Sequence, residues 1–277
     1  MARKETKKAI SPKRKKPDSL RTVLELADLT GKTAVVTGGG GHLGYRMSEA
    51  ILELGGSVIV IGRDENKIAA LGKRYGKKIT FLKVDLNSEK EVLALEHKLP
   101  AKIDILINDF YTWPTNPHFE KMKWEEVVAT MVTGIVSPIF TSKIAFEKMK
   151  GGGSIINIGS MYGMVSPNFK IYRDSGMGNA IDYGATKAAL IQATKYMAVK
   201  GASLGIRVNA VSPGPFSKPG AFENGKEWFK EELTSMMPMR RIGENWELKG
   251  VVAFLASDLS TYVTGQNIAV DGGWTIW

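Results

Sequence analysis

The chain has 277 residues, 43% of them hydrophobic, which is enough for one sizeable core. It contains no cysteine, which excludes disulfides and thiolate metal sites and fits a reducing compartment, so we expect a cytoplasmic protein without a bound metal. Its continuous apolar runs are far shorter than the ~18 residues of a membrane span, and no apolar segment follows the basic N-terminus, so we expect neither a membrane anchor nor a secretory signal.

The net charge of +10 is concentrated at the N-terminus, where residues 1–21 hold nine Lys or Arg and two acids. That segment has few large apolar residues and cannot bury enough surface to order itself. We therefore predict a basic flexible tail over residues 1–28 and a single domain over residues 29–277. The charge of the domain is close to balanced, so nucleic acid is not the expected partner, although contacts through the tail stay open.

From residue 31 onward, short β-branched runs alternate with helical patterns. Apolar runs without alternation are typical of strands covered on both faces, and hence of a parallel sheet flanked by helices. Right-handed crossovers then give a doubly wound α/β fold that binds ligands at the carboxyl ends of its strands. Residues 214–245 are less regular and are predicted to form a lobe over that site. The predicted strands are 33–37, 57–61, 79–84, 103–107, 154–158, 206–211 and 267–270.

The glycine-rich stretch "TGGGGHLG", residues 37–44, follows the first predicted strand and opens the first helix. Glycines let the backbone approach a pyrophosphate, while the free amides and the helix dipole favour its negative charge. Arg63 follows the second strand, where an Arg suits the 2′-phosphate of NADP, whereas Asp64 could neutralise it or bind the ribose itself. These residues favour NADP(H) as the cofactor and leave NAD(H) open.

Seven segments stand in an order that resembles the classical short-chain dehydrogenase/reductases, from residue 29 to residue 274. They are "TGGGGHLG", "VDL", "DILIN", "SIINIGS", "YGATK", "IRVNAVSPG" and "VTGQNIAVDGGW". The resemblance implies a Rossmann-type sheet, hydride transfer with a nicotinamide cofactor, a small-molecule substrate and assembly into homodimers or homotetramers. It implies that Asp85 and Leu86 contact the adenine and that Asn108 lies near the adenosine ribose. It also implies that Pro213 and Gly214 lie beside the nicotinamide. With these, the predicted cofactor-binding residues are Gly38, Gly40, Gly41, His42, Leu43, Arg63, Asp85, Leu86, Asn108, Tyr183, Lys187, Pro213 and Gly214.

The Tyr-x-x-x-Lys of "YGATK" suits acid–base chemistry at a carbonyl or hydroxyl group. An unperturbed tyrosine titrates near ~10, too high for a base at neutral pH. Lys187 lies one helical turn after Tyr183 on the same face, so its positive charge is expected to lower the pKa of the phenol. The resemblance makes Tyr183 the acid/base, gives Lys187 a further contact with the nicotinamide ribose, and assigns Ser160 a hydrogen bond to the reacting oxygen.

The sequence departs from the family pattern at three places. His42 replaces the second glycine of the motif and is expected to cap the helix or contact the cofactor. Phe110 and Tyr111 follow the fourth strand and are expected to fill space near the nicotinamide, either narrowing the pocket or stacking on a ring. Met131 stands at the helix asparagine of the family's catalytic tetrad and cannot hold a proton-relaying water. We expect turnover to survive by another proton route, for which Thr130 or Thr133 could supply a hydroxyl.

Ser160 and Tyr183 are 23 positions apart, more than in most relatives. Long loops inside compact domains are usually functional or disordered, and this one must emerge at the mouth of the substrate site. Lys170, Tyr172 and Arg173 are predicted to bind substrate there, since Arg in particular suits carboxylates and phosphates. The loop is similar to those of dehydrogenases that act on sugars, surface glycans and sugar acids, which favours a polar or anionic sugar-type substrate.

Two other functions stay open from the sequence. The first is reduction of a 3-oxoacyl thioester, which would need a site open to a phosphopantetheine arm. The second is a non-catalytic NAD(P)-binding protein with a regulatory or nucleic-acid-associated role. The methionine at position 131 and the basic tail are compatible with this function.

Overall fold

The computed structural model describes residues 21–112, 116–218, 220–223 and 225–277. Most of the predicted flexible tail, residues 1–20, lies outside the described residues. Residues 21–28 had been assigned to that tail, but they include a short helix, α1 (Val23–Ala27). The Thr22 hydroxyl and the Glu25 carboxylate cap this helix reciprocally, and Arg21 bonds Asp258 at 2.7 Å. Residues 21–28 therefore include regular structure that the sequence patterns did not indicate.

Seven parallel strands form one sheet in the order β3-β2-β1-β4-β5-β6-β7. Each strand lies within two residues of its predicted bounds, because buried parallel strands consist of short β-branched runs. The doubly wound α/β fold predicted from the sequence is confirmed. The strands are β1 (Thr33–Thr37), β2 (Ser57–Gly62), β3 (Ile79–Lys83), β4 (Ile105–Asn108), β5 (Gly153–Ile158), β6 (Ile206–Pro213) and β7 (Asn267–Val270).

Helices cover both faces of the sheet, and the sheet divides the hydrophobic core into two parts. On one face, buried side chains of helices Gly44–Glu53 and Leu248–Ala256 pack against the strands, and on the other, those of helices Ser137–Lys148 and Ile181–Ala202 do so. The helices after α1 are α2 (Gly44–Glu53), α3 (Ala69–Tyr75), α4 (Glu89–Leu93), α5 (Leu95–Lys98), α6 (Trp124–Met131), α7 (Ser137–Lys148), α8 (Ile181–Ala202), α9 (Glu227–Ser235) and α10 (Leu248–Ala256).

A π-helical turn, Val132–Val136, joins α6 to α7 without a break. The resulting run Trp124–Lys148 has 25 residues and, by length and composition alone, could cross a membrane. However, 44% of its most apolar window is buried inside this protein, and a core helix satisfies the same criteria. This run is therefore no basis for assigning a membrane span.

A third apolar cluster lies outside the two sheet faces and joins two irregular segments. We call residues 161–180 the insert and residues 214–245 the lobe. The insert contributes Tyr162 and Tyr172, and the lobe contributes Leu233 and Met237 on or beside α9. The predicted lobe thus packs on the insert that separates β5 from α8.

Candidate active site

The three residues predicted to be catalytic lie together at the carboxyl edge of the sheet. Ser160 closely follows β5, and Tyr183 and Lys187 lie one turn apart on α8. The Tyr183 hydroxyl is hydrogen-bonded to the Ser160 side chain. The Lys187 ammonium donates to the carbonyl oxygen of Ile158 at 2.7 Å. The site thus holds a phenol hydroxyl, a second hydroxyl bonded to it and a buried ammonium group.

The charge states of this group are set mainly by burial. Burial raises the pKa of Tyr183, the hydrogen bond with Ser160 opposes that rise, and the negative charge of Asp109 adds to it. Burial also lowers the pKa of Lys187, to about 8. The expected net lowering of the Tyr183 pKa by Lys187 is therefore wrong, since the ammonium lies 5.9 Å from the ring centroid and desolvation of the phenolate outweighs it. At neutral pH Tyr183 is a protonated phenol that can donate a proton.

Asp109 is a charged member of this site that the sequence analysis missed. It directly follows β4, and its carboxylate accepts the backbone amide of Gly44 at the start of α2. By surface area it is partly open to the cleft, although protein atoms surround it on most sides. Burial raises the pKa of Asp109 to about 7, and the positive charge of Lys187 opposes the rise. The acid that follows β4 in "NDFY" was the available signal.

Tyr111 fills the space beside Tyr183 and Lys187. Its ring meets that of Tyr183 edge-on at 5.1 Å, and the Lys187 ammonium lies 4.9 Å from its centroid. The side chains of Thr186 and Thr130 lie near the Tyr111 hydroxyl, and burial raises the pKa of Tyr111. The expected crowding of the site by Tyr111 therefore takes the form of a ring that covers the catalytic cation.

Met131 ends α6, and the π-helical turn begins at the next residue. Of the two hydroxyls considered as substitutes, Thr130 reaches Tyr111 and also bonds the carbonyl oxygen of Glu126 at 3.0 Å. Thr133 accepts the backbone amide of Thr112 at 3.2 Å. Of the two threonines, Thr130 is thus the one whose side chain lies near Tyr111.

The glycine-rich turn has the shape of a phosphate cradle. Gly38 has φ +70°, and a Cβ there would lie 3.0 Å from the backbone of Phe110. A Cβ on Gly44 would lie 2.3 Å from the carbonyl oxygen of Gly38. Gly40, Gly41 and Leu43 complete the turn ahead of α2, whose N-terminus favours an anion. The residues present fit a dinucleotide, because the backbone is packed so closely that side chains are excluded.

His42 faces the lobe, across the turn. Its ring nitrogen lies 3.5 Å from the amide of Asn245, and backbone oxygens of Ser217 and Phe216 are within its reach. Burial lowers the pKa of His42, and the positive charges of Lys218 and Arg46 lower it further. His42 does not cap α2 with its side chain, so of the two roles expected for it, helix capping is wrong.

At the adenosine end of the predicted cleft, Arg63 is exposed immediately after β2. Asp64 accepts the backbone amide of Asn66 at 3.1 Å, so its carboxylate is engaged in capping a helical turn. Hydrogen bonds from the backbone and side chain of Asn87 hold the pKa of Asp85 below its usual range. The neighbouring Leu86 is buried.

Asn108, predicted to lie near the adenosine ribose, is buried at the end of β4. Its amide donates to Asn157 at 2.9 Å, and its carbonyl accepts from Thr141 at 2.8 Å. Those bonds commit its side chain to the core. Pro213 ends β6, and the following Gly214 lies against the backbone of Asp271, where a Cβ would be 2.6 Å from its Cα.

The insert residues predicted to bind substrate are mostly engaged with the lobe. Arg173 donates to Glu232 at 2.6 and 3.0 Å and lies 5.0 Å from the ring centroid of Trp228. Tyr172 is buried and stacks on Phe229 at 5.5 Å. Lys170 is exposed. These contacts connect the insert to α9, a connection that the sequence patterns did not indicate.

A cavity of about 810 Å³ opens beside the insert. Segment 116–122, the insert and one face of α8 line it, with apolar side chains such as Met164, Val165 and Phe169. Its described lining includes Tyr162 but not Ser160, Tyr183 or Lys187. The cavity therefore adjoins the catalytic group without containing it. Within the described residues, no cluster of three or more His, Asp or Glu side chains could hold a metal ion.

Comparisons with known proteins agree with this architecture. A family model described as "Enoyl-(Acyl carrier protein) reductase" matches residues 41–275. The chain is 34% identical, over 90% of its length and 98% of the relative, to 3-oxoacyl-[acyl-carrier-protein] reductase FabG of Rickettsia felis.

Two solved structures are similar over nearly the whole chain. One is a gluconate 5-dehydrogenase from Burkholderia cenocepacia in complex with NADP and tartrate, with 27% identity and a TM-score of 0.81 over 92% of this chain and 99% of that one. The other is a short chain dehydrogenase from Leptospira borgpetersenii with bound NAD+, with 30% identity and a TM-score of 0.75 over 94% and 98%.

Proposed function

Because the chain belongs to the short-chain dehydrogenase/reductase family and is an oxidoreductase of that type, we propose that it interconverts a ketone and a secondary alcohol on a polar or anionic sugar-type substrate. The observation that carries this proposal is the Tyr183 hydroxyl, bonded to Ser160 and lying one helical turn from the buried Lys187. Ser160 follows β5 at the carboxyl edge of the sheet, the same edge at which β1, one strand beyond β4, leads into the glycine-rich turn.

The proposed roles of the three side chains are those that the family resemblance implies, and their geometry supports them. In the reducing direction, Tyr183 donates its proton to the carbonyl oxygen as hydride reaches the carbonyl carbon. Ser160 shares a hydrogen bond with that phenol and orients the oxygen. Lys187 supplies the positive charge that stabilises the phenolate left behind. Because burial raises the pKa of Tyr183, the phenol is protonated at neutral pH and suits reduction.

A nicotinamide dinucleotide would supply or accept the hydride, and we propose NADP(H). Gly38, Gly40, Gly41 and Gly44 would let its pyrophosphate approach the backbone at the N-terminus of α2. Arg63 is exposed after β2, while the Asp64 carboxylate is engaged with Asn66, an arrangement that favours a 2′-phosphate over a bare ribose. Among the neighbours, the Burkholderia enzyme holds NADP and the Leptospira enzyme holds NAD+.

For the substrate, support comes from the insert and from the gluconate 5-dehydrogenase, whose complex contains tartrate. Lys170 is exposed and available to an anion, whereas Arg173 would have to exchange Glu232 for the substrate. A 3-oxoacyl thioester is the second candidate, because the FabG relative is 34% identical and a cavity of about 810 Å³ with apolar walls adjoins the site. A non-catalytic role is the third, since Met131 replaces the tetrad asparagine.

The test is reduction by the purified full-length chain with NADPH and NADH, using keto-sugars, keto-acids of sugars and acetoacetyl thioesters. Tyr183→Phe should abolish turnover, because it removes the proton donor and little else. Tyr262→Phe is the matched control, since Tyr262 is an exposed tyrosine outside α8. Turnover with Tyr183→Phe equal to wild type, or an inactive wild type across the panel in both directions, would overturn the proposal.

We also propose that the protein is cytoplasmic and assembles into homodimers or homotetramers. Exposed apolar residues on two adjacent helices support assembly: Trp124 and Val128 on α6, and Tyr196 and Val199 on α8. Light scattering should give a multimer for wild type and a smaller species for Val199→Glu. A monomeric wild-type protein would contradict the proposed assembly.

A further inference from the structure

The segment after β4 holds the Tyr111 ring at a fixed place in the candidate site. On one side of it, the backbone amide of Phe110 donates to the hydroxyl of Thr37, the last residue of β1, at 3.3 Å. On the other side, the backbone amide of Thr112 donates to the Thr133 hydroxyl, in the π-helical turn, at 3.2 Å. The backbone is thus anchored immediately before and after Tyr111, so two separate parts of the fold position the ring.

The Tyr111 ring lies against both members of the acid–base pair. The Lys187 Nζ is 4.9 Å from its centroid, nearer than the 5.9 Å that separate the same atom from the Tyr183 centroid. The rings of Tyr111 and Tyr183 meet edge to face, with centroids 5.1 Å apart and planes inclined by 70°. A cation within ~6 Å of a ring centroid is attracted by the negative face of the ring. This geometry makes Tyr111 a cation–π partner of Lys187.

The surroundings of Lys187 oppose its positive charge. Lys187 is 5% exposed and has lost most of its water, and this burial lowers its pKa to about 8. It donates a hydrogen bond to the carbonyl oxygen of Ile158 at 2.7 Å, although an ammonium has three protons to donate. The negative charge of Asp109 raises the pKa of Lys187 but does not offset the burial. A ring face that attracts the ammonium therefore bears directly on whether Lys187 stays charged.

We propose that Tyr111 is a positioning residue for the acid–base pair: the face of its ring holds the Lys187 ammonium charged and beside Tyr183. This inference rests on the proposed function, in which that ammonium stabilises the Tyr183 phenolate. Met131 has no amide that could hold a water for Lys187, whereas an aromatic ring supplies negative potential without water. The alternative is that Tyr111 only fills the space next to Tyr183.

The two roles differ in how Lys187 titrates, which can be measured without cofactor or substrate. In protein labelled with ¹³C at the lysine ε-carbon, the Lys187 resonance is assigned by its loss in Lys187→Met, and its pKa is read from a pH titration. Tyr111→Phe keeps the ring face and removes the hydroxyl, so the Lys187 pKa should stay near the wild-type value. Tyr111→Leu keeps apolar bulk and removes the ring, so the Lys187 pKa should fall by about 0.5–1.5 pH units.

A fluorinated series separates the charge distribution of the ring from its shape, and it decides the question if Tyr111→Leu fails to fold. Phenylalanine with one, two or three ring fluorines at position 111 fills nearly the same space, while each fluorine weakens the negative potential of the ring face. The Lys187 pKa should fall stepwise along this series. Phe110→Leu is the matched control, because the Phe110 ring packs on the core between the sheet and α7 and α8, so the Lys187 titration should not change.

Turnover adds a second readout once a substrate is known. In Tyr111→Leu, kcat should fall most at neutral pH and approach the wild-type value at lower pH, where Lys187 regains its proton, whereas Tyr111→Phe should keep the wild-type pH profile.

A Lys187 pKa that stays constant along the fluorinated series would overturn this inference, and so would a fall in Tyr111→Phe as large as that in Tyr111→Leu. In either case, turnover by the wild-type protein would leave the proposed function standing. A stepwise fall in a protein without any turnover would support the cation–π role and count against the proposed function.

Discussion

Removing either half of the Arg173–Glu232 pair tests whether the insert holds the lobe in place. The two side chains are 55% and 30% exposed, so solvent screening limits their ion pair to about 0.2–1 kcal/mol. The cation–π contact with Trp228 adds about 0.5–1 kcal/mol. Arg173→Ala should therefore destabilise the lobe locally by about 1–2 kcal/mol, and Glu232→Gln by about 0.2–1 kcal/mol.

The assay is amide hydrogen exchange of α9 in the otherwise intact protein. A loss of about 1–2 kcal/mol corresponds to roughly five- to thirtyfold faster exchange by local opening. The double variant should exchange little faster than Arg173→Ala alone, because the ion pair is lost only once. Lys170→Ala is the matched control, since it removes an exposed cation from the same turn.

Kinetics with an anionic substrate then separate the two possible uses of Arg173. If the arginine holds the lobe, Arg173→Ala and Glu232→Gln should both raise KM, because both loosen the same wall of the site. If instead Arg173→Ala raises KM with unchanged exchange in α9, while Glu232→Gln lowers KM by freeing the guanidinium, the arginine binds substrate and our reasoning about the lobe is refuted.

Two predictions concern the cofactor. Gly44→Ala should lose NADPH binding in a fluorescence titration and lose about 1–3 kcal/mol of stability, because the new Cβ would lie 2.3 Å from a carbonyl oxygen. The control Gly72→Ala in α3, where a Cβ would have no neighbour within 4 Å, should be neutral or stabilising. Equal NADPH binding by both variants would contradict a phosphate-binding role for the glycine-rich turn. Arg63→Glu should weaken NADPH binding about tenfold or more, at least ~1.4 kcal/mol, and NADH binding much less. The same charge change at exposed Lys73 should affect neither, and an equal loss for both cofactors would argue against a 2′-phosphate contact.

Much of the fold could be predicted because the relevant signals are local. Buried parallel strands need β-branched runs, and β1 and β7 have the predicted bounds. The glycine-rich turn could also be predicted from the sequence, since a close approach of two backbone segments excludes side chains and so requires glycine. The grouping of Ser160, Tyr183 and Lys187 followed from the family resemblance and from one-turn spacing on a helix. Helix α1 was missed because it depends on capping and on contacts such as Arg21–Asp258.

Several contacts and charge states of the candidate site could not be predicted from the sequence. Tyr111 was expected to crowd the cofactor, but its hydroxyl lies between Thr130 and Thr186, on two different helices. Lys187 was expected to lower the pKa of Tyr183, but burial prevails, and the extent of burial depends on every element that surrounds the phenol. Both outcomes are set by distances between residues far apart in the chain.

By itself the sequence determined the order of strands and helices, the phosphate turn and the chemical type of the acid–base pair, because each depends on neighbours along the chain. Only the tertiary structure decided that Arg173 would meet Glu232 and that Lys187 would lie against the ring of Tyr111. Electrostatic energy depends on separation in space and on the water excluded between charges, and neither quantity can be read from positions along a chain.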